Sequence, residues 1–216
     1  MDWESFCRNA DRLLFRHLTD NQQPHRGGVS MSQATINGVV NGVDVDRMGN
    51  TIQAVQANPS LATFRFRADN RWLGGSSNCS TIRNFYGAGQ EDTIRTEPFV
   101  LQADEPPVLL GEDRAANPVE YVLHALAACL TTSLVYHAAA RGIRIESVES
   151  KLEGELDLQG FLGLSDKVRP GYKQIRVNFT IKSDASAKEL EDLTKFSPVF
   201  DIVSNPVPVS IAITTV

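Results

Sequence analysis

The chain has 216 residues, 42% of them hydrophobic, enough for one sizeable core or two small ones. Its formal net charge of -5 gives no electrostatic case for a nucleic acid or an anionic membrane as partner. Cys7, Cys79 and Cys129 form neither a CxxC pair nor a zinc ligand set, and His17, His25, His124 and His137 lack metal-binding spacing, so no metal or other cofactor is expected. Sparse, odd cysteine usage and a first twenty residues without an h-region lead us to expect a soluble protein in a reducing compartment, the cytoplasm.

In chain order, residues 1–30 read as an N-terminal extension. Trp3, Phe6, Leu13, Leu14 and Leu18 mark an amphipathic helix that QQPHRGGVSMS breaks, and Met31 is an alternative start for a domain over 31–216. Residues 32–60 predict a strand or hairpin with Asn-Gly turns, then a short helix ending near Asn58-Pro59. Ala62–Ala68 alternates Phe64 and Phe66 with Arg65 and Arg67, the pattern of a half-buried strand. After turns at Asp69-Asn70 and Gly74-Gly75, Cys79–Phe85 reads as a second strand with Cys79, Thr81 and Arg83 on one face. GAGQED at 87–92 is a loop that lacks the GK[ST] of a phosphate-binding loop. Pro98–Gln102 reads as a third strand. Asp104, Glu105, Glu112 and Asp113 follow in a loop whose acids read as solvated charge.

Asn117–Gly142 is the stretch around which the chain is organised. Asn117 is an N-cap, Pro118 a first helical residue and Gly142 a left-handed C-cap, with Arg141 complementing the helix dipole. The run between them is rich in Ala and Leu and reads as a buried core helix. Its ends are too polar, and it carries too much Thr, Ser and His, for a membrane span. At about 100° per residue, Val122, Ala125, Leu126, Ser133 and Tyr136 fall on the side of Cys129, Glu120 falls opposite, and His137 lies about 80° away. No base of this helix reaches the thiol, and periodicity alone makes Cys129 a buried structural cysteine.

Ile143–Leu158 and Lys173–Ile181 then read as partner strands joined by the irregular GFLGLSDKVRPGY. Ser186 to Glu189 is a capping box opening a helix. Ser197-Pro198 starts a second short helix that Asn205-Pro206 ends, and Val207–Thr214 reads as a last strand. The order βββ–α–ββ–α–α–β predicts an α+β fold without repeats.

Three segments resemble the OsmC/Ohr family of thiol-dependent organic hydroperoxide reductases and their relatives. Asn117-Pro118 with the later Ala-Leu-Ala-Ala-Cys129-Leu is similar to the family's NPE…AAC helix. The strand pair after it and the segment from Phe196 to Val209 are similar to the family's later elements. The resemblance covers roughly residues 60–216. It implies antiparallel sheets wrapped around a long buried central helix, in an intertwined homodimer with its sites at the interface.

By that resemblance Cys129 is the peroxidatic cysteine, whose thiolate attacks a peroxide O–O bond and becomes a sulfenic acid. A buried thiol needs a nearby cation for this, and the family supplies an Arg held by a Glu two positions after the Asn. Here Val119 occupies that place and Glu120 follows it. Arg83 is the candidate thiolate partner, with Arg65, Arg67 and Arg71 as alternatives. Ser197 stands where the family has a resolving cysteine, so an external thiol, or Cys79, would recycle the sulfenic acid. Val122, Leu126, Ser133, Tyr136 and Ser197 are the candidate binding residues for a small hydrophobic peroxide. The alternative is a non-catalytic module of the same fold that binds a hydrophobic ligand or senses oxidation.

Overall fold

The structure, a computed structural model, describes residues 38–216. The extension expected at 1–30, and Cys7 within it, lie outside the described residues. The chain divides into two compact units. One holds Gly49–Glu120 and the other Thr35–Met48 with Tyr121–Val216, described from Gly38 onward.

The second unit starts with a two-residue hairpin, β1 (Val39–Val40) and β2 (Val43–Asp44), turning at Asn41-Gly42 as the Asn-Gly signal predicted. Asn41 and Gly42 both take positive φ, the conformation such a turn needs. The Asn41 side chain ties the turn to distant backbone, donating to the Ile143 carbonyl and accepting from the Ile145 N–H, both at 2.9 Å. Helix α1 (Val45–Ala57) follows and ends before Asn58, which caps a 3-10 turn at Pro59–Ala62.

In the first unit, β3 (Asp69–Gly74), β4 (Ser77–Ile82) and β7 (Phe99–Ala103) form an antiparallel sheet in the order β3-β4-β7. A small hairpin, β5 (Phe85–Gly87) with β6 (Gln90–Asp92), turns at Ala88-Gly89. Two strand readings need correction here. Phe64–Arg67 makes a single bridge, Arg65 to Tyr86, because its alternation builds a side-chain ladder instead. The rings of Phe64, Phe66 and Phe85 stack at 5.4–6.2 Å, and Arg67 pairs with Glu91. The strand follows at Asp69–Gly74, through the expected Asp69-Asn70 turn. Arg83 lies beyond the end of β4 and is exposed, so it shares no strand face with Cys79 and Thr81. Cys79 is fully buried and disulfide-bonded, which removes it as a substitute resolving thiol.

The long helix α2 spans Pro118–Ala140. Beyond it the second unit pairs β8 (Ile145–Glu155) with β9 (Gln174–Ser183) in an antiparallel hairpin whose inner face carries Val148, Leu152, Val177, Phe179 and Ile181. A four-residue helix α3 (Leu158–Phe161), capped by Asp157, interrupts the connection. Helix α4 (Ala187–Thr194) opens on the predicted capping box, and α5 (Pro198–Ser204) on Ser197. Leu134 and Ala138 of α2 pack with Leu190 and Leu193 of α4 into the core, against Val148 and Ile181.

Two further expectations fail. The core helix is buried along one line only: Leu126, Leu130, Leu134 and Ala138, with Ala139. Tyr136 (52% exposed) stands open on another side, and Val122 (37%), one turn before Leu126, is partly open, because β9 and α4 cover just one face. By length and composition α2 alone, among the described residues, could cross a membrane; its buried line instead packs on this chain's own core. Among the described residues the last strand finds no pairing: the backbone is extended at Asn205, and residues 205–216 are exposed and pair with no other described strand.

Candidate thiol site

The sequence fixes the start of α2 through a reciprocal capping box. Asn117 Oδ1 accepts the Glu120 N–H, and Glu120 Oε2 accepts the Asn117 N–H, both at 2.9 Å. The carboxylate singled out as a catalytic candidate therefore works on its own helix end. The Asn-x-x-Glu spacing was its signal. At the other end Gly142 takes φ 69 and the Ile143 N–H returns to the Ala138 carbonyl, so the helix stops where predicted.

Between these ends Cys129 is half-buried and free. It lies at the margin of the covered line, flanked by half-buried Ser133 and on the same side as exposed Val122 and Tyr136. Leu126, one turn before it, lines with Val122 a cavity of about 370 Å³ whose wall also carries Arg169, Lys173 and Phe200. Leu130, the next residue, lines with Leu134, Phe179 and Leu190 an open cavity of about 540 Å³. Val177 and Phe200 line both, so the two form adjacent apolar spaces along one side of α2. Cys129 itself lines neither.

The charged groups near the helix end do not supply a cation by titration. Burial, and then the charge of Arg141, lower the pKa of His137, which keeps the imidazole neutral at pH 7. That ring stacks on Phe196 at 4.0 Å, with the Arg141 guanidinium 5.6 Å from the same ring. In the other unit, Arg83 Nε donates to the Arg95 carbonyl at 3.1 Å and Arg95 returns a bond to the Arg83 carbonyl. Arg65 lies over the Tyr86 ring, and Arg67 holds Glu91 through two bonds.

Ser197 is 1% exposed, and its Oγ accepts the Phe200 N–H at 3.2 Å as the N-cap of α5. The acidic loop held a residue that sequence reasoning passed over. Asp104 is not solvated but 3% exposed, and it takes hydrogen bonds from Ser76 Oγ and the N–H groups of Glu105, Glu112 and Arg114. These bonds pull its carboxyl down to about 2 and fold residues 104–114 around it. No group of His, Cys, Asp and Glu suited to a metal ion occurs among the described residues.

The family model for OsmC-like proteins matches residues 111–212, from the end of the acidic loop through α2 to the exposed tail. No curated protein matches. Among solved structures, an OsmC-like protein from Mycoplasma pneumoniae is 17% identical, with 66% of this chain and 89% of that one covered and a TM-score of 0.49. An organic hydroperoxide resistance protein OsmC from Legionella pneumophila, also described as a predicted redox protein, is 19% identical, covering 67% and 92% at a TM-score of 0.45. An OsmC-like protein of unknown function from Vibrio cholerae is 12% identical, covering 66% and 93% at 0.48. Residues 111–212, which carry the capped helix and its cysteine, match the family model of OsmC-like proteins.

Proposed function

We propose that the chain is a thiol-dependent reductase of organic hydroperoxides with a role in oxidative stress defence, and that Cys129 is its peroxidatic thiol. The observation that carries this reading is the position of Cys129: a free, half-buried sulfur on the long helix, beside apolar cavities lined by Leu126 and Leu130. The thiolate attacks the terminal peroxide oxygen, forming S–O and breaking O–O. The alkoxide leaves and takes a proton as the alcohol, and Cys129 is left as the sulfenic acid. One external thiol condenses with it to a mixed disulfide and water, and a second releases the Cys129 thiol and an external disulfide. Ser197 cannot take the first of these steps, and Cys79 is already disulfide-bonded, which favours an external reductant. Arg83 is proposed as the cation that stabilises the thiolate, and Ser133 and Tyr136 as groups facing the bound peroxide.

The same reading includes a homodimer. The exposed apolar side of α2, with Val122 and Tyr136, is the surface a second copy would cover. Cytoplasmic residence also belongs to the proposal, and the disulfide at Cys79 counts against it. Thiol counting on chain extracted from cells under acid quench decides that point.

The test of the activity is consumption of cumene hydroperoxide by the full chain with a dithiol, beside Cys129→Ser and Arg83→Ala. Turnover lost in Cys129→Ser, slowed in Arg83→Ala and accompanied by a trappable sulfenic acid on Cys129 is the expected result. Consumption no faster than Cys129→Ser would leave the non-catalytic ligand-binding or redox-sensing module as the reading.

A further inference from the structure

The connection between β8 and β9 is a loop whose ends meet. Lys173 Nζ pairs with the Asp157 carboxylate at 2.8 Å across its neck, and the Lys173 N–H donates to the Glu155 carbonyl. Within the loop, α3 ends in a Schellman closure. The Gly163 N–H returns to the Gly160 carbonyl and the Leu164 N–H to the Gln159 carbonyl, with Gly163 at φ 66. Gly160 lies against the returning leg, where a Cβ would come within 2.5 Å of the Arg169 carbonyl oxygen. The loop is therefore held in one shape by its own backbone.

That shape presents three large apolar side chains to solvent. Phe161, Leu162 and Leu164 are 65%, 56% and 70% exposed. A slack loop would fold such side chains inward, whereas this one is fixed with them outward. Lys167 and Arg169 follow on the returning leg, both exposed, and outnumber the one acid there, Asp166. Among the described residues neither cation is in an ion pair.

An apolar tip with a basic flank suits the boundary of a bilayer. The ring and methyl groups enter beside the acyl chains, and the two long cationic side chains reach the headgroup phosphates. The tip is too small for a second protein chain: three side chains cover a few hundred Å², against about 800 Å² per partner in a stable interface. The net charge of -5 works against an anionic surface, so apolar insertion must carry the binding.

We propose that the loop 157–173 is a lipid-surface anchor, in which Phe161, Leu162 and Leu164 enter the interface of a bilayer while Lys167 and Arg169 bind its phosphates. The returning leg, through Arg169, Tyr172 and Lys173, also walls the cavity of about 370 Å³ that Val122 and Leu126 of α2 line. Docking by the tip brings that apolar space to the membrane surface. The anchor stands apart from the reaction at Cys129; what the cavity receives rests on the function proposed above.

The test is co-sedimentation of the full chain with phosphatidylcholine vesicles at low and high salt. Wild type should pellet with the vesicles. Phe161→Ser/Leu164→Ser should lower its partition coefficient by about tenfold or more, with an unchanged circular dichroism spectrum because both side chains are exposed. High salt and Lys167→Gln/Arg169→Gln should each lower it by only about threefold, since exposed charge pairs are weak. Ile94→Ser, at an 85% exposed site in the other unit, should pellet as wild type. Cys129→Ser should do the same, which separates loss of docking from loss of turnover. A wild-type chain left in the supernatant, a tip variant that pellets as wild type, or binding abolished by salt overturns the anchor. So does a tip variant whose mass by light scattering falls from dimer to monomer, which would give the tip to a second copy.

Discussion

Replacing Ser197 by alanine separates two accounts of that residue. In the structure its hydroxyl is buried and accepts the Phe200 N–H at the first turn of α5, a helix of seven residues with few other bonds to hold its start. Losing an N-cap acceptor costs about 1 kcal/mol, and a donor left without a partner near the core raises this towards about 2 kcal/mol. A chain of this length loses about 2–4 °C of Tm per kcal/mol, so Ser197→Ala should melt roughly 2–8 °C lower, followed by circular dichroism at 222 nm. Peroxide turnover per folded chain should be preserved, because the hydroxyl serves the helix and not the substrate. An unchanged Tm together with lost turnover would refute the capping argument and return Ser197 to the reacting site.

Glu120 can be treated in the same way: Glu120→Gln keeps an acceptor for the Asn117 N–H and should stay within about 0.5 kcal/mol of wild type in urea unfolding, whereas Glu120→Ala loses it and falls by about 1 kcal/mol. A fall in turnover with Glu120→Gln at unchanged stability would show that the charge is needed. Because the Asp104 carboxyl is held at about 2, below its ordinary 3.8, its contribution is complete above pH 4 and is lost as pH falls towards 2. Asp104→Asn should therefore flatten the acid limb of the stability–pH curve, measured as urea midpoint between pH 5 and 2. Gly111→Ala places a Cβ against the Glu105 carbonyl oxygen, a backbone atom that cannot swing aside, and should cost about 1–3 kcal/mol by thermal melting.

What was legible in the sequence was what neighbours in the chain decide. Asn117, Pro118 and Gly142 bound α2, Ser186 and Glu189 bound α4, and Ser197 with Pro198 starts α5, because caps act over three or four residues. Asp104 escaped because its partners at Ser76, Glu112 and Arg114 are eight to twenty-eight positions away, and an acid among acids carries no mark of them. Phe64 to Arg67 misled because period two describes any extended segment with two faces. Here the odd positions bond Tyr86 and Glu91 while the rings stack, and only one bridge forms.

The largest misreading, a core helix that is half open, follows from what periodicity measures. An apolar helix shows that its faces will be covered, but not by which chain. Leu126, Leu130 and Leu134 are covered by this chain, whereas the side carrying Tyr136 is exposed, and so is the tail from Val207. Cys129 sits between the covered and the bare sides, so its surroundings are completed only when the bare side is. If a second copy completes them, turnover belongs to the dimer, and specific activity per chain must fall as the protein is diluted through its dimer dissociation constant. Progress curves with cumene hydroperoxide over a thousandfold range of protein, with the dimer fraction measured at each point, test this. Activity should follow the dimer fraction. Constant activity per chain in samples shown to be monomeric would mean that one chain builds the whole thiol site, and that the bare side of α2 serves something other than Cys129.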